Sequence, residues 1–279
     1  MTHLATTRVL PENWVISPAS IVSGGEVLTS IQINFFQQYG YLVLPGAALN
    51  DLAVLRAEAQ RQLAHPEQPM ELEATVGYPG APLANAEGGD TVRRLLKATE
   101  RSKVWLDWAT SAQAKAWLAP LVNDADPAKK VWLNPNHHNC LMTKSPRYSS
   151  DTGWHQDIRY WQFKQPQLVS MWLALGDERT ENGGLQVIPG SHAAVFSSNQ
   201  FDEKKFFRTD FTTNLTWLEK SVSIELNAGD VLLFDSRLLH KASRNHSELT
   251  KLSLVFTYHG ESNYPIAGTR SASQPEIKL

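Results

Sequence analysis

At 279 residues, 42% hydrophobic and 19% charged, the chain is long enough to bury a substantial core and ordinary enough in composition to be globular. A formal net charge of −2 with no basic block argues against nucleic acid or an anionic membrane surface as a partner. The single cysteine, Cys140, excludes an internal disulfide framework and a multi-thiolate zinc site, and it fits a reducing compartment, so the expected location is the cytoplasm.

Residues 1–28 read as irregular, with no basic segment leading into an apolar run, so no secretory signal is expected. No stretch approaches the roughly 18 apolar residues of a membrane span. Ile31, Ile33, Phe35 and Phe36 predict a helix that Gly40 stops. "YLVL" then reads as a strand ended by Pro45-Gly46. Residues 49–65 form an amphipathic pattern, capped by Asn50 or Asp51, with Leu52, Leu55, Ala59 and Leu63 on one face. Residues 66–91 are rich in Pro, Gly, Ala and Glu and read as a long loop, a candidate lid. Residues 92–122 carry two further helical patterns.

The character changes near residue 131. Short segments rich in Val, Leu, Ile and aromatics follow one another to residue 260, punctuated by Gly, Pro, Asn and Asp. Many short strands after a helical start predict a mainly β fold, a jelly roll or barrel with the N-terminal helices packed outside. With no internal repeat or Gly/Ser linker, residues 1–279 read as a single domain. The tail from residue 261 is polar and reads as loosely held. Nine tryptophans read first as core filling.

Within "SSDTGWHQDIRYWQF", His155 and Asp157 are two apart. On a strand, side chains at that spacing share a face, so an imidazole and a carboxylate project together as half of a metal site. His240, where the apolar "GDVLLFDSRLLH" runs out into a turn, is the best third ligand. Two histidines and one carboxylate make the facial set of non-haem Fe(II) oxygenases, leaving open positions for a 2-oxo acid and O₂. Taken alone the pattern is weak, because such a pair arises easily by chance as two ordinary polar residues on a strand. His137 and His138, adjacent and so opposed on a strand, read as structural, as do His192, His246 and His259.

The order of segments is more specific. "TKSP", "WHQDIRYW", "VSMWLALGD", "NGGLQVIPGSH", "AGDVLLFDSRLLHKASRNHS" and "KLSLVFTYH" follow one another over residues 131–260, and "FFQQYGYLVLPGAA" precedes them. This resembles the phytanoyl-CoA dioxygenase family of Fe(II)- and 2-oxoglutarate-dependent oxygenases. The resemblance implies a double-stranded β-helix, a cupin-like jelly-roll barrel, with iron at its mouth held by His155, Asp157 and His240. It implies that Pro189–His192 is a structural turn at that mouth. It also implies that 2-oxoglutarate is split to succinate and CO₂ while O₂ hydroxylates a C–H bond. Halogenating relatives replace the aspartate with a small residue, so Asp157 favours oxygen transfer.

In that family a basic residue about eleven positions after the second histidine, usually arginine, pairs with the distal carboxylate of 2-oxoglutarate. Here it is Lys251, a point charge without the planar fork of a guanidinium. Asn245, Ser247, Lys144, Thr143 and Trp172 are expected helpers, with Arg93 or Arg94 further upstream. Arg159, Tyr160, Trp161 and Phe163 follow the ligand pair and are expected on the substrate side, with Arg147 and Arg159 available to an anionic group. No basic cluster for a coenzyme A thioester is evident, so a small free metabolite is expected. The alternatives are an inactive cupin-like binding protein and a non-oxidative metal lyase or isomerase.

Overall fold

A capping box opens the first helix of the computed structural model, which describes residues 27–124, 126 and 128–279. The amide of Gln32 donates to Thr29 Oγ1, and the amide of Thr29 donates to Gln32 Oε1. Helix α1, Ser30–Tyr39, ends at Gly40 in the left-handed region at φ 80°. A Cβ at Gly40 would lie 2.5 Å from His192 Nδ1, so glycine here both caps the helix and admits the Pro189–His192 turn. The irregular reading of residues 1–26 lies outside the described residues.

Strand β1, Tyr41–Leu44, and helix α2, Leu49–Ala64, follow as expected. The cap of α2 differs. Its N-cap is Ala48, without a side-chain bond. The turn before it is held by tertiary partners instead: Gly46 N donates to Asp230 Oδ1, and Ala48 N to the carbonyl of Gly229. Asp51 sits in the first turn, where a carboxylate favours the helix dipole.

The stretch 66–91 is not all loop. It contains strand β2, Met70–Leu72, and a helical turn α3, Glu73–Val76. Residues 92–96, expected to be helical, form strand β3, Val92–Leu96. Pairing with β2 on one side and with the Asn139–Lys144 strand on the other overrides the local pattern. Helices α4 (Ala98–Arg101), α5 (Lys103–Ala109) and α6 (Ala112–Val122) complete the N-terminal layer. Ser102 and Ser111 cap the last two.

From residue 131 the chain is strand-rich, as expected: β4 (Val131–Leu133), β5 (Asn139–Lys144), β6 (Thr152–His155), β7 (Val169–Ala174) and β8 (Leu185–Val187). After helix α7 (Thr212–Leu218) come β9 (Val222–Ser223), β10 (Val231–Asp235), β11 (His240–Ala242), β12 (Lys251–Gly260) and β13 (Ile277–Lys278). Nine strands make a major sheet, ordered β1-β10-β7-β12-β5-β3-β2, with β4 and β13 joined beside β12. A minor sheet runs β6-β11-β8-β9. The pairs are antiparallel, the arrangement of a double-stranded β-helix core flanked by N-terminal helices.

Alternation along the major sheet builds two cores. Leu233, Met171, Leu173, Leu254, Phe256, Leu141 and Leu95 face the helices and pack with Leu55, Trp105, Trp108 and Leu118. Leu232, Phe234, Trp172, Ala174 and Val255 face the minor sheet and pack with Leu185, Val187 and Ala242. No helix among the described residues is long and apolar enough to cross a membrane. The tail is tied down, contrary to expectation. The Ser271 carbonyl accepts from Asn134 and Asn136, its hydroxyl accepts from the Gln162 amide, and β13 pairs with β4. Polar residues here make buried hydrogen bonds rather than facing water.

Candidate metal centre

Strand β6 ends in His155 and strand β11 begins with His240, and the two are direct cross-strand partners. Their ring centroids are 4.2 Å apart. Asp157 does not continue β6, so same-face alternation is not what brings it to His155. The chain turns after Gln156 into one turn of 3₁₀ helix, residues 157–160, anchored by Ile158 N donating to the Ser236 carbonyl. That turn sets Asp157 Oδ1 3.7 Å from Nε2 of His155 and 3.7 Å from Nε2 of His240.

Both histidines are oriented alike. His155 Nδ1 lies 2.8 Å from the Gly153 carbonyl, and His240 Nδ1 lies 3.0 Å from that of Leu238. A carbonyl only accepts, so each Nδ1 carries the proton, and each Nε2 is turned toward Asp157, where it can ligate once unprotonated. Burial, then the nearby His240 and Arg159, hold His155 well below the usual imidazole range, in the neutral form a metal needs.

One ligand atom from each of the three residues lies within 4.8 Å of the others. Atoms 3.7 Å apart can both touch an ion at roughly 2.0–2.2 Å, the usual span for nitrogen and oxygen ligands. Asp157 Oδ2 is buried without a hydrogen-bond partner, a desolvated carboxylate that a bound cation would compensate. Two imidazoles and a carboxylate suit iron and neighbouring divalent metals.

His138 belongs here too, against its reading as structural. It precedes β5 in a turn, so the strand rule for adjacent residues does not apply, and its Nδ1 lies 3.5 Å from Asp157 Oδ2. Burial first, opposed by Asp157, brings it down to about 4. His137 stacks on Trp161 with centroids 4.7 Å apart and bonds Ser271. His192 and His259 are structural as expected, bonded to the Gln37 carbonyl and to Glu276.

The cavity beside the triad is lined by Lys144, Thr143, Trp172 and Lys251, and by Arg93 and Arg94. Lys251 is 4% exposed, the opposite of a solvated strand-end lysine. Its ammonium pairs with Glu178 Oε2 at 3.1 Å and lies 4.8 Å from the Trp172 ring centroid. Sequence reasoning missed Glu178, because a carboxylate in "GDER" reads as a solvated turn. Asn245 and Ser247 do not line the cavity: Asn245 Nδ2 donates to the Lys144 and Leu249 carbonyls, and Ser247 bonds back to Asn245.

The expected substrate-side residues divide. The Arg159 guanidinium lies 4.2 Å from the Phe206 ring centroid, and Phe206 packs edge-on against His155. Trp161 packs against His137 and His138. Tyr160 is half exposed and donates to the Lys204 carbonyl. Phe163 is buried against His137 and His259. Arg147 is exposed in a left-handed turn, and its carbonyl accepts from Arg244, so it is not brought to the triad. Phe206 was also missed; it reaches the site from a loop with no periodic signal. Tyr78, within residues 66–91, packs on Phe206 and under Arg93.

Solved structures share this arrangement of sheets. EctD from S. alaskensis with bound Fe superposes with a TM-score of 0.69 at 20% identity, covering 91% of this chain and 84% of that one. The epimerase SnoN in complex with Fe3+ and alpha ketoglutarate gives 0.67 at 20% identity, covering 88% and 89%. These likenesses establish the fold. Among curated proteins, phytanoyl-CoA dioxygenase 1 of Oryza sativa subsp. japonica is 27% identical over 111 residues, 40% of each chain. A probable alpha-ketoglutarate-dependent hypophosphite dioxygenase of Stutzerimonas stutzeri is 24% identical over 186 residues, 65% of this chain and 63% of that protein. Residues 36–252 match the phytanoyl-CoA dioxygenase (PhyH) family as a whole. That span runs from α1 into β12 and contains all three ligands, so the chain belongs to the phytanoyl-CoA dioxygenase family.

Proposed function

We propose that the chain is an Fe(II)- and 2-oxoglutarate-dependent oxygenase that hydroxylates a C–H bond of a small metabolite and releases succinate and CO₂. The observation that carries this is the inward convergence of two Nδ1-anchored histidines on the Asp157 carboxylate. His155, Asp157 and His240 would hold the metal. Iron bound there, with O₂ and 2-oxoglutarate, supplies an oxidant strong enough for an unactivated C–H bond.

The rest falls to the protein. Asp157 fills the ligand position that a halogenase leaves vacant, which supports hydroxylation. Lys144 and Lys251 form the cationic wall for the co-substrate, with the Trp172 ring packed under Lys251 and Asn245 and Ser247 bracing the end of β5 behind it. Met142, Leu185 and Ala242 line the same cavity and keep water from the reacting centre. Arg159, with Phe206 and Trp161, borders the other side of the triad and would orient the substrate, with Tyr160 and Arg147 further out. Tyr78 makes residues 66–91 the natural cover.

Two relatives are named for small substrates, hypophosphite and ectoine, which supports a free metabolite rather than a macromolecule. We read the two facing sheets as a jelly-roll barrel and residues 1–279 as one cytoplasmic catalytic domain without a nucleic-acid or membrane partner. The test is O₂ uptake with Fe(II) and 2-oxoglutarate across a metabolite panel. Substrate-stimulated succinate release supports the reading; a panel without any succinate from wild type counts against it.

A further inference from the structure

Strands β5 and β12 place Lys144 directly opposite Lys251. Both line the cavity beside the triad, and they are 6% and 4% exposed. Two ammonium groups buried together repel each other, so what each is paired with decides which is available.

Lys251 is committed. Its Nζ donates to Glu178 Oε2 and to Ser253 Oγ, at 3.1 and 2.9 Å. Glu178 is fully buried, and its Oε1 accepts from Ser253 and from the Trp172 indole, at 2.6 and 3.0 Å. The other cations of the wall are committed as well, Arg93 to Glu73 and Arg94 to Glu71. Lys144 alone among these four makes no ion pair among the described residues. Its Nζ donates to the carbonyls of Ser150 and Ala242, at 2.6 and 3.3 Å. An ammonium has three donors, so one remains. Gly183 leaves room for the stem: a Cβ there would lie 2.8 Å from Lys144 Cδ.

We propose that Lys144, and not Lys251, is the cation that receives the distal carboxylate of a dicarboxylic 2-oxo acid at the metal, with Glu178 holding Lys251 as fixed wall. This rests on the oxygenase reading above. One anion entering the cavity balances the one cation that lacks a counter-charge, whereas engaging Lys251 would set the carboxylate against Glu178. The groups facing Lys144 are Arg93 from β3, Lys251 from β12, Glu73 from α3 and Asp151 before β6, with Glu178 behind Lys251. Burial, then Arg93 and Lys251, brings Lys144 down to about 7, opposed by Glu73 and Asp151. A bound carboxylate favours the protonated form, so co-substrate affinity falls as pH rises above that value.

The test is the affinity of Fe(II)-loaded, O₂-free protein for 2-oxoglutarate, measured by calorimetry. Lys144→Met should weaken binding by roughly thirtyfold or more, as for the loss of one partner of a buried charge pair. Lys251→Met/Glu178→Gln, which removes a charge pair together, should weaken it far less. Wild-type affinity should fall between about pH 6 and about pH 9, and Lys144→Arg, whose guanidinium stays charged, should abolish that trend. Circular dichroism and retained Fe(II) binding establish that each variant is folded. If Lys144→Met binds as tightly as wild type while the double variant loses binding, Lys251 is the partner and the inference is wrong although the oxygenase reading stands. If wild type itself binds no 2-oxoglutarate, both fall.

Discussion

The two faces of the major sheet differ in kind. The face toward the helices is apolar from β3 to β10 and closes on Trp105, Trp108 and Leu55. The inward face is apolar only around Trp172, Leu232 and Val255, then gives way to Lys144, Lys251, Ser253 and Glu178, all buried. The same strands make both faces by alternation. The first face converts apolar area into stability. The second carries desolvated charges whose net contribution to stability is small or negative, and its two lysines line the cavity beside the triad.

Changes on the two faces should therefore separate activity from stability. The largest effect belongs to Asp157→Ala, which should abolish Fe(II) binding and turnover. Its unfolding free energy should stay within about 1 kcal/mol of wild type, because removing a buried carboxylate with an unpartnered oxygen relieves desolvation. Metal titration beside thermal melts checks both halves. On the other face, Trp105→Ala should cost about 3–5 kcal/mol by leaving a cavity under a fully buried indole. Urea titration measures it, and the folded fraction should still bind Fe(II).

Acid is a third probe. His155 is held well below the ordinary imidazole value, and His138 at about 4. The unfolded chain then binds more protons than the folded one below about pH 6.5, so metal-free protein should lose stability as pH falls from there toward about 4. Melts across that range check the sign; a melting temperature that rises on acidification would mean these histidines are charged when folded. The smallest effect is at His138, which touches the ligand Asp157 rather than the metal position. His138→Asn should weaken Fe(II) binding by no more than about 10-fold, the low end for a residue behind a ligand, because His138 lies near Asp157 Oδ2 without a hydrogen bond to it.

The outward face was the legible one. Gly40, the Leu55/Ala59 stripe and the strand series after residue 131 follow local rules of capping and period, and they stand where those rules put them. Residues 92–96 did not, because "VRRLL" carries no alternation: Arg94 faces a polar cavity and pairs with Glu71. At the site, His155, Asp157 and His240 were legible as residue types in a motif order. The turn that delivers Asp157 was not, nor were His138 and Glu178. Each acts through a partner distant in sequence, and only the assembled sheets supply it.

The central claim is that the triad is an iron site that couples 2-oxoglutarate cleavage to oxygen chemistry. The most direct measurement is succinate formed per O₂ consumed by Fe(II)-loaded wild type and Asp157→Ala, with 2-oxoglutarate and each metabolite of a panel. The account predicts matched, substrate-stimulated O₂ uptake and succinate release in wild type and neither in the variant. Equal succinate from both proteins, or none from wild type with any metabolite, would contradict it.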